Sequence, residues 1–298
     1  MQARVSISIC VCTSGRPIEL ERCLESIVAG SRLPFEIVVS DDSRDEATAA
    51  AVRSVCGKYG LSRYVEGPRC GLCANRNHVV RHALGSHVAL LDDDAVMGSD
   101  FVERAERLIA QWSNSILTGD VLEDGTRRTP PTNPTFLGHF GKPVLPGERL
   151  ENINLNSNVM PRRAFDFACF DESIAYGYED TDLCAQLLVA GFEILHAPEL
   201  VNEHRPMHRE LNQSTRHHLT ERARIYTTMR RHFGWHRRLI CGVTFAVVSP
   251  IHLFASSVRR GEWRLALYGP WWVVSDFWRA STQLAPTGEP NRIEGRKA

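Results

Sequence analysis

Three successive carboxylates, Asp92, Asp93 and Asp94, follow a short apolar run at residues 88–91. Such a run is typical of a strand that is buried on both faces. Adjacent carboxylates at its end repel one another and lose hydration unless a cation or hydrogen-bond donors face them. Mg²⁺ and Mn²⁺ prefer oxygen ligands and often keep phosphate oxygens, so one interpretation is a metal–diphosphate site. The other is an acidic turn in which an aspartate caps the next helix.

A second acidic stretch, Glu179, Asp180 and Asp182, precedes a helical apolar stripe. The helix dipole stabilises carboxylates at this position, which by itself explains all three. The alternative is that one of them is a general base beside a substrate hydroxyl. His204 follows a predicted strand at residues 193–197, and we expect it in a polar loop, as a structural, solvent-exposed or metal-binding residue.

Alternating strands and helices position both stretches. Short apolar runs predict the strands, and Pro17 predicts the first turn of the first helix. This alternation indicates an α/β fold with a mostly parallel sheet and helices on both faces, whose strand ends open into a ligand crevice. Residues 122–152 are rich in proline and glycine, which predicts a long irregular loop that is either functional or disordered. The other predicted strands are 5–12, 35–39, 63–65 and 115–121, and the other helices are 47–56, one ending near residue 85, and one capped by Ser99 or Asp100.

Composition limits the class of protein. Lys and Arg total 35 and Asp and Glu total 35, so the net charge gives no reason to expect nucleic acid as a partner. The nine cysteines lack a disulfide spacing and the N-terminus lacks a long apolar segment, which favours a reduced, cytosolic protein. Cys70 and Cys73 form a CxxC pair without a second pair to complete a zinc site, so we interpret them as ordinary loop cysteines.

Five segments together resemble one known family. They are ICVCTSGRP, EIVVSDDSRDEAT, GLCANRNHVVRHALGSHVALLDDDAV, NSNVMPRRAF and FDESIAYGYEDTDLCAQLLVAGF. In this order and spacing they are similar to family 2 glycosyltransferases of the GT-A fold, over roughly residues 5–205. The chain departs from the family pattern at Gly15, where asparagine is usual, and at Asn75, where a small residue is usual.

The resemblance implies a nucleotide-sugar site. Thr13 and Asp42, or Asp41 in its place, would hold the base, and Arg76 would lie along the nucleotide or diphosphate. Asp92 would lie nearer the ribose, and Asp94 would be the main ligand of Mn²⁺ or Mg²⁺. The full implied sets are Thr13, Arg16, Asp41, Asp42, Arg76, Asp92 and Asp93 for the nucleotide sugar, and Asp94, Asp92 and His204 for the metal.

The resemblance also implies the catalytic and acceptor residues. Asp180 would be the general base, with Glu179 and Asp182 as its neighbours, and a single displacement would invert the sugar. The acceptor side would contain Asn158, Arg162 and Arg163. The expected acceptor is a glycan, a lipid-linked molecule or a small molecule, in cell-surface polysaccharide or glycolipid assembly.

The C-terminal part, from about residue 216, differs in amino-acid composition from the rest of the chain. Residues 216–238 contain seven arginines and one acid, and residues 239–258 contain no Asp, Glu, Lys or Arg. Residues 263–278 contain four of the six tryptophans. Basic, apolar and Trp-rich segments are typical of helices that lie on an anionic membrane, so we predict peripheral association on its cytosolic face. The alternative is that these amphipathic helices cover the apolar surface of the catalytic domain.

The predicted domains are a GT-A catalytic domain at 1–212, with a nucleotide-sugar half at about 1–120 and an acceptor half at about 121–212, and a helical membrane-associating region at 213–298 with a disordered tail from residue 286. Two other functions remain open. One is a nucleotidyltransferase with a similar nucleotide–metal half, and the other is a non-catalytic membrane-bound scaffold.

Overall fold

The structure, a computed structural model, describes residues 5–144, 149–205, 213–235 and 238–282. The strands are β1 Ile7–Thr13, β2 Glu36–Asp41, β3 Ser62–Glu66, β4 His87–Asp92, β5 Ala95–Val96, β6 Ile116–Glu123, β7 Arg127–Thr129, β8 Thr132–Pro134, β9 Phe140–Pro143, β10 Asn158–Pro161 and β11 Ile194–His204. The helices are α1 Pro17–Val28, α2 Glu46–Gly57, α3 Leu72–His82, α4 Phe101–Gln111, α5 Glu179–Val189, α6 Gln213–Met229, α7 Leu239–Arg259 and α8 Trp263–Thr282, with a 3₁₀ turn at Arg162–Asp166 and a π-helical segment at Arg230–Trp235.

The central sheet has the order β3-β2-β1-β4-β10-β6-β11-β5, with β7 added to β6. β1 pairs in parallel with β2 and β4, so Thr13 lies beside Asp41 and Cys12 lies beside Asp92. β10 runs antiparallel to both β4 and β6. The prediction of a mostly parallel α/β sheet is confirmed, and its register brings polar strand ends to one edge.

Two cores cover the two faces of the sheet. Successive side chains of a strand point to opposite faces. Ile9 and Val11 of β1 therefore pack in the core that contains α1 and α4, whereas Cys10 and Cys12 pack in the core that contains α3 and α5. Every residue of β1 is buried, which explains its continuous apolar sequence.

Two predicted loops contain strands. β11 extends to His204, well beyond the predicted end at residue 197, and its last residues pair with both β5 and β6. The prediction that His204 lies in a polar loop is therefore wrong. The stretch 122–152 is less irregular than predicted, because it contains β7 and a hairpin formed by β8 and β9.

The C-terminal region is helical, as predicted. α7 packs along α8, and α6 contacts both α5 and α8. The predicted domain boundary after residue 212 and the predicted disordered tail lie outside the described residues. Three of the seven arginines, Arg224, Arg230 and Arg231, are buried against protein, so they are not available to a membrane as the sequence suggested.

Gly119 tests the packing behind the site. A Cβ atom added there would overlap the Leu200 carbonyl oxygen, so Gly119→Ala should lower the free energy of unfolding by about 1–3 kcal/mol. Gly57→Ala is the control, because its added Cβ meets no heavy atom within 4 Å and should be neutral or slightly stabilising. Urea unfolding measures both, and equal midpoints for the two variants would contradict this packing.

Candidate active site

A cavity of about 220 Å³ lies beyond the carboxyl end of β4, beside the start of α5. The ends of β4 and β11 meet there, as carboxyl ends of strands do in open α/β sheets. The structure thus brings both acidic stretches and His204 to one place. Predicted site residues that line the cavity are Arg76, Asp92, Asp94, Glu179 and His204.

Arg76 joins the two acidic stretches. Its Nη1 donates to Glu179 Oε1 at 2.6 Å, and its Nη2 donates to Asp92 Oδ1 at 2.8 Å. The side chain is buried against the ring of Phe170. Burial disfavours the charged guanidinium, but the two carboxylates outweigh it and raise the Arg76 pKa above its usual value. Its terminal nitrogens thus bond to protein carboxylates, whereas the sequence placed them along a nucleotide.

Asn156 holds Asp92 from the other side. Its Oδ1 accepts from the Asp92 backbone N–H at 2.8 Å, and its Nδ2 donates to Asp92 Oδ2 at 3.3 Å. Asn156 lies in the loop before β10, which reaches the site because the Gly119 N–H donates to the Ser157 carbonyl. Both carboxylate oxygens of Asp92 therefore have protein donors.

Asp93 faces the loop after β1. It accepts from Thr13 Oγ1 at 2.8 Å and from Arg16 Nη1 at 2.7 Å. Burial raises the pKa of Asp93 to about 7 against the opposing effect of Arg16 and Thr13. Arg16 also donates to Asp94 at 3.2 Å, so it holds two of the three carboxylates. The predicted residues Thr13, Arg16 and Asp93 thus form one cluster.

Asp94 and His204 supply the donor atoms that a metal ion would need. Asp94 Oδ1 lies 3.5 Å from His204 Nε2, and His204 Nδ1 lies 3.0 Å from Glu123. Burial disfavours the imidazolium, yet Asp94 and Glu123 raise the pKa of His204 to about 9. Two ligands of an octahedral ion lie ~3 Å apart, so a small adjustment would let both bind one ion.

The described ranges contain no group of three or more His, Cys, Asp or Glu side chains with metal-binding geometry. Asp92 is turned toward Arg76 and Asn156, so the predicted set of three protein ligands does not converge. Mg²⁺ and similar ions often bind one or two protein donors and complete their shell with water and substrate phosphates. Asp94 and His204 fit that arrangement.

Asp41 and Asp42 shape the edge of the sheet beside Thr13. Asp41 is almost fully buried and accepts from the Ser43 N–H at 2.9 Å, and Asp42 accepts from the Arg69 N–H at 2.9 Å. A Cβ atom at Gly67 would overlap the Asp42 carboxylate, so this loop requires glycine. The Asp42 N–H donates to the Thr13 carbonyl, which places Asp42 next to the cluster of Thr13, Arg16 and Asp93.

Glu179 and Asp180 begin α5 after an unusual turn. Gly177 and Tyr178 both have positive φ, which turns the chain sharply into the helix. Glu179 Oε2 is buried and has no hydrogen-bond partner among the described residues. Asp180 Oδ1 accepts from the Thr181 N–H at 2.7 Å. Burial and the neighbouring charge of Glu179 raise the pKa of Asp180 to about 7.

Asp182 does not reach the cavity. Its side chain is buried on the opposite side of α5, where Arg230 Nη1 donates to it at 3.0 Å and Gln186 Nε2 donates to it at 2.8 Å. Trp235 also donates to it, at 3.4 Å. The prediction that grouped Asp182 with the catalytic residues is not supported, because these three donors already hold its carboxylate away from the cavity.

The predicted acceptor-side residues lie elsewhere as well. Arg162 Nε donates to the Gly85 carbonyl, and Arg163 donates to Asn114. Both follow β10, whose antiparallel direction brings them to the amino end of β4, at the end of the sheet opposite the cavity. Asn158 is buried within the sheet, where its side chain bonds to the backbone of Leu90.

Three contributors to the site were missed in the sequence. Asn156 has a detectable signal, because Asn154, Asn156 and Asn158 alternate just before a strand. Phe140 stacks on Tyr178, with ring centroids 4.9 Å apart and planes 2° apart, at the cavity wall. Arg216 of α6 lines the same cavity. The last two have no local signal, because they reach the site through folding of distant segments.

Comparison with known proteins agrees with this geometry. The family model for Glycosyl transferase family 2 matches residues 8–173, which is more than half of the chain. The chain belongs to glycosyl transferase family 2. The predicted family is thereby confirmed, and with it the class of enzyme, a glycosyltransferase. The match ends before Glu179, so the start of α5 and the C-terminal helices lie outside it.

Two curated relatives match a part of the chain. Glycosyltransferase GlyA of Streptococcus pneumoniae is 28% identical over 101 residues, covering 34% of this chain and 14% of that protein. The GalNAc(5)-diNAcBac-PP-undecaprenol beta-1,3-glucosyltransferase of Campylobacter jejuni is 33% identical over 94 residues, covering 30% of this chain and 29% of that protein. The matched region is thus less than a third of either relative.

Solved structures share the fold. GalNAc-T7, crystallised with UDP, GalNAc and Mn²⁺, superposes with a TM-score of 0.60 at 16% identity, covering 76% of this chain and 48% of that chain. Residues 1–349 of TarS from S. aureus in complex with UDP superpose with a TM-score of 0.59 at 15% identity, covering 93% of this chain and 81% of that chain. These similarities confirm the predicted GT-A fold.

Arg76 offers a test of the buried ion cluster. Arg76→Met leaves Asp92 and Glu179 without their shared cation, so the free energy of unfolding should fall by about 3–5 kcal/mol. Arg81→Met on the same helix is the control, because Arg81 is largely exposed and its ion pair with Glu172 is long, at 4.0 Å. Adding Glu179→Gln to Arg76→Met should recover part of the loss. Chemical denaturation measures all variants, and simple additivity of the two changes would contradict the coupling.

Proposed function

We propose that this protein transfers a sugar from a nucleotide-diphosphate sugar to an acceptor hydroxyl. One observation supports this most strongly: Asp92 and Asp94 at the end of β4 and Glu179 at the start of α5 line the same cavity, and Asp180 follows Glu179 directly. Glycosyl transfer needs one carboxylate that holds a metal ion at the donor diphosphate and a second that accepts the proton of the acceptor hydroxyl. Both must lie at the same site. TarS and GalNAc-T7 share the fold and were crystallised with UDP, which supports a nucleotide-diphosphate donor.

The cluster of Thr13, Arg16 and Asp93 is proposed to contact the nucleotide, together with Asp42 at the sheet edge. Asp41 stabilises the loop that follows β2, because its carboxylate accepts a hydrogen bond from the Ser43 N–H. Arg76 keeps Asp92 and Glu179 oriented rather than binding the donor directly. In this proposal Asp92 presents an oxygen toward the ribose side of the cavity.

Asp94 and His204 are proposed to hold Mn²⁺ or Mg²⁺. When bound, the ion neutralises the charge that develops on the diphosphate as the sugar leaves. The two side chains provide one oxygen and one nitrogen donor, and the diphosphate and water would complete the coordination. His204 must lose its proton to bind, and Glu123 then keeps its ring oriented.

Asp180 is the proposed general base. The acceptor hydroxyl is a poor nucleophile until a carboxylate accepts its proton, and a base is most effective when its pKa lies near the working pH. The raised pKa of Asp180 meets this requirement, whereas Glu179 already shares its charge with Arg76. A base opposite the leaving group gives a single displacement with inversion at the sugar.

A nucleotidyltransferase and a non-catalytic scaffold are less well supported. Neither requires a titratable carboxylate at the start of α5, beside the strand-end cavity. Hydrolysis of a sugar nucleotide that depends on Mn²⁺ would distinguish the proposed transferase from both.

Asp94→Asn tests the proposed metal site. The amide keeps the shape but loses the charge, so metal-dependent binding of a nucleoside diphosphate should fall at least tenfold while the fold is retained. Isothermal calorimetry with and without Mn²⁺ measures this change. Asp100→Asn, a surface aspartate before α4, should bind as the wild type does. Unchanged metal dependence in Asp94→Asn would remove Asp94 from the site.

Asp180→Asn tests the proposed base. General-base catalysis contributes about 10²–10⁴-fold, so kcat should fall by that factor while donor binding is kept. Because the Asp180 pKa is raised to about 7, the wild-type kcat should fall tenfold per pH unit below pH 7, and this pH dependence should disappear in the variant.

A raised carboxylate pKa also means that ionisation of Asp180 destabilises the folded protein, so Asp180→Asn should be at least as stable as the wild type above pH 7. Turnover near that of the wild type would transfer the role to Glu179.

Membrane association is the second part of the proposal. α7 alone among the described helices is long and apolar enough to cross a membrane, with a mean hydropathy of 1.9 over an 18-residue window of which 22% is buried. Large apolar side chains of α7 and α8 are exposed, including Ile240 at 84% and Trp271 at 70%. The arginines that flank this surface, Arg238, Arg259, Arg260 and Arg264, are exposed as well. We therefore propose that the α7–α8 face lies on an anionic membrane.

The α7–α8 turn is close to the cavity. His217 Nε2 of α6 lies 3.2 Å from Glu262 in this turn, and the adjacent residue Arg216 lines the cavity. A membrane beneath the hairpin would therefore place lipid headgroups near the site. The C. jejuni relative is named for an undecaprenol-linked substrate, which supports a lipid-linked acceptor in surface-glycan assembly on the cytosolic face.

Liposome sedimentation tests this surface. Buried apolar area contributes ~25 cal/mol per Å² and is not screened by salt, whereas each arginine contributes ~1 kcal/mol that salt screens. We expect binding to phosphatidylglycerol vesicles that resists 1 M salt, a concentration at which the Debye length is ~3 Å. The double variant Ile240→Glu/Ile251→Glu should lose binding, and Ile18→Glu/Leu33→Glu, which changes exposed apolar residues in and after α1, should keep it. Binding by the α7 variant in high salt would mean that another surface is responsible.

A further inference from the structure

Arg16 and Arg76, the two arginines that contact the aspartates after β4, are already engaged by protein carboxylates. Arg76 bonds to Asp92 and Glu179, and Arg16 bonds to Asp93 and Asp94. A nucleotide-diphosphate sugar brings two negative charges into this cavity, and the leaving diphosphate gains a third. The metal ion proposed at Asp94 and His204 would offset part of that charge, and a cation that protein carboxylates do not already balance would offset the rest.

Arg216 is such a cation, and it comes from α6. It lines the cavity together with Thr220, one turn further along the same helix. Its Nε is buried and has no hydrogen-bond partner among the residues that the structure describes. No carboxylate in those ranges forms an ion pair with it, in contrast to Arg222 and Arg224 on the same helix, which pair with Asp276 and Glu221.

The position of α6 is fixed by packing against the catalytic half. A Cβ atom at Gly177 would lie 3.5 Å from Thr220, so the helix touches the turn that leads into Glu179. Arg224 donates to the Leu137 carbonyl, and Arg230, just after α6, binds Asp171 and Asp182. These buried bonds hold Arg216 at a defined place beside the carboxylates.

We propose that Arg216 is a catalytic residue that binds the diphosphate of the donor and stabilises it as the leaving group. A guanidinium matches phosphate oxygens through two parallel hydrogen bonds and stays charged. The acceptor oxygen forms a bond to the sugar C1, and the bond from C1 to the diphosphate oxygen breaks. The hydroxyl proton passes to Asp180, and the electron pair of the broken bond remains on the diphosphate beside Arg216.

This inference rests on the proposed glycosyl transfer and adds a consequence. Arg216 lies outside residues 8–173, so a C-terminal helix would complete the active site in addition to supporting the membrane surface. The α7–α8 hairpin and the catalytic half would then share one functional contact, the first turns of α6.

The experiment compares Arg216→Gln and Arg216→Lys with Arg222→Gln, a matched change at the arginine six residues further along α6. Calorimetry measures binding of inorganic pyrophosphate, of UDP, GDP and dTDP, and of the corresponding nucleosides. Initial rates with the sugar nucleotide that the wild type uses give kcat.

Arg216→Gln should lose at least tenfold in affinity for pyrophosphate and for the preferred nucleoside diphosphate, and it should keep its affinity for the nucleoside. Its kcat should fall by about 10²–10³-fold, the usual effect of removing one charge-stabilising donor. Arg216→Lys should retain part of both, and Arg222→Gln should match the wild type.

Wild-type pyrophosphate affinity and kcat in Arg216→Gln would overturn the inference, as would an equal loss in Arg222→Gln. If Arg216→Gln does not fold, Arg216→Lys decides, because full wild-type values there would show that the bidentate contact is not made. Absence of turnover by the wild type with every sugar nucleotide would instead refute the proposed function. The two failures are therefore distinguishable.

Discussion

The buried ion cluster around Arg76 is the constraint on which the site depends. One guanidinium lies between Asp92 at the end of β4 and Glu179 at the start of α5, with hydrogen bonds of 2.8 and 2.6 Å. Burying these carboxylates without a cation would be strongly unfavourable, so the two halves of the fold must meet where Arg76 can reach both. Asn156 then restricts Asp92 further. The strand end and the helix start consequently face the same cavity.

The three successive aspartates have different partners because their side chains point in different directions. Asp92 faces Arg76 and Asn156, Asp93 faces Thr13 and Arg16, and Asp94 faces His204 and Arg16. Each carboxylate therefore has a different partner, and the mutual repulsion expected from their sequence is offset by two arginines and a histidine. The same division explains why Asp94, of the three aspartates, is the proposed metal ligand. The donors around Asp92 and Asp93 leave them suited to orienting the loop before β10 and the loop after β1.

The C-terminal region shows how charge in a sequence can mislead. Arg224, Arg230 and Arg231 are buried and bind carboxylates or carbonyl oxygens, which ties α6 and the π-helical segment to the catalytic half. Exposed arginines of this region are Arg222 of α6 and Arg238, Arg259, Arg260 and Arg264 around α7 and α8. The proposed association with a membrane therefore depends on the exposed apolar side chains of α7 and α8 and on the arginines that flank them. Three of the six described arginines before α7 support internal packing.

The sequence alone determined β1 to β4, β6 and the start of β11, most helices, the family and the two acidic stretches, because these follow from local periodicity and from motifs of adjacent residues. The resemblance to the family grouped Thr13, Asp42, Arg76, Asp94 and Glu179 around one site, and the rule that open α/β sheets bind ligands at the carboxyl ends of their strands independently placed the aspartates after β4 there. The tertiary structure decided what depends on contacts between distant segments. The antiparallel direction of β10 moved Arg162 and Arg163 to the far end of the sheet, and the rotation of α5 turned Asp182 toward Arg230. The extension of β11 brought His204 to Asp94, and the docking of α6 brought Arg216 to the cavity. Strand direction, helix rotation and docking are set by the whole core, and no local pattern in the chain specifies them.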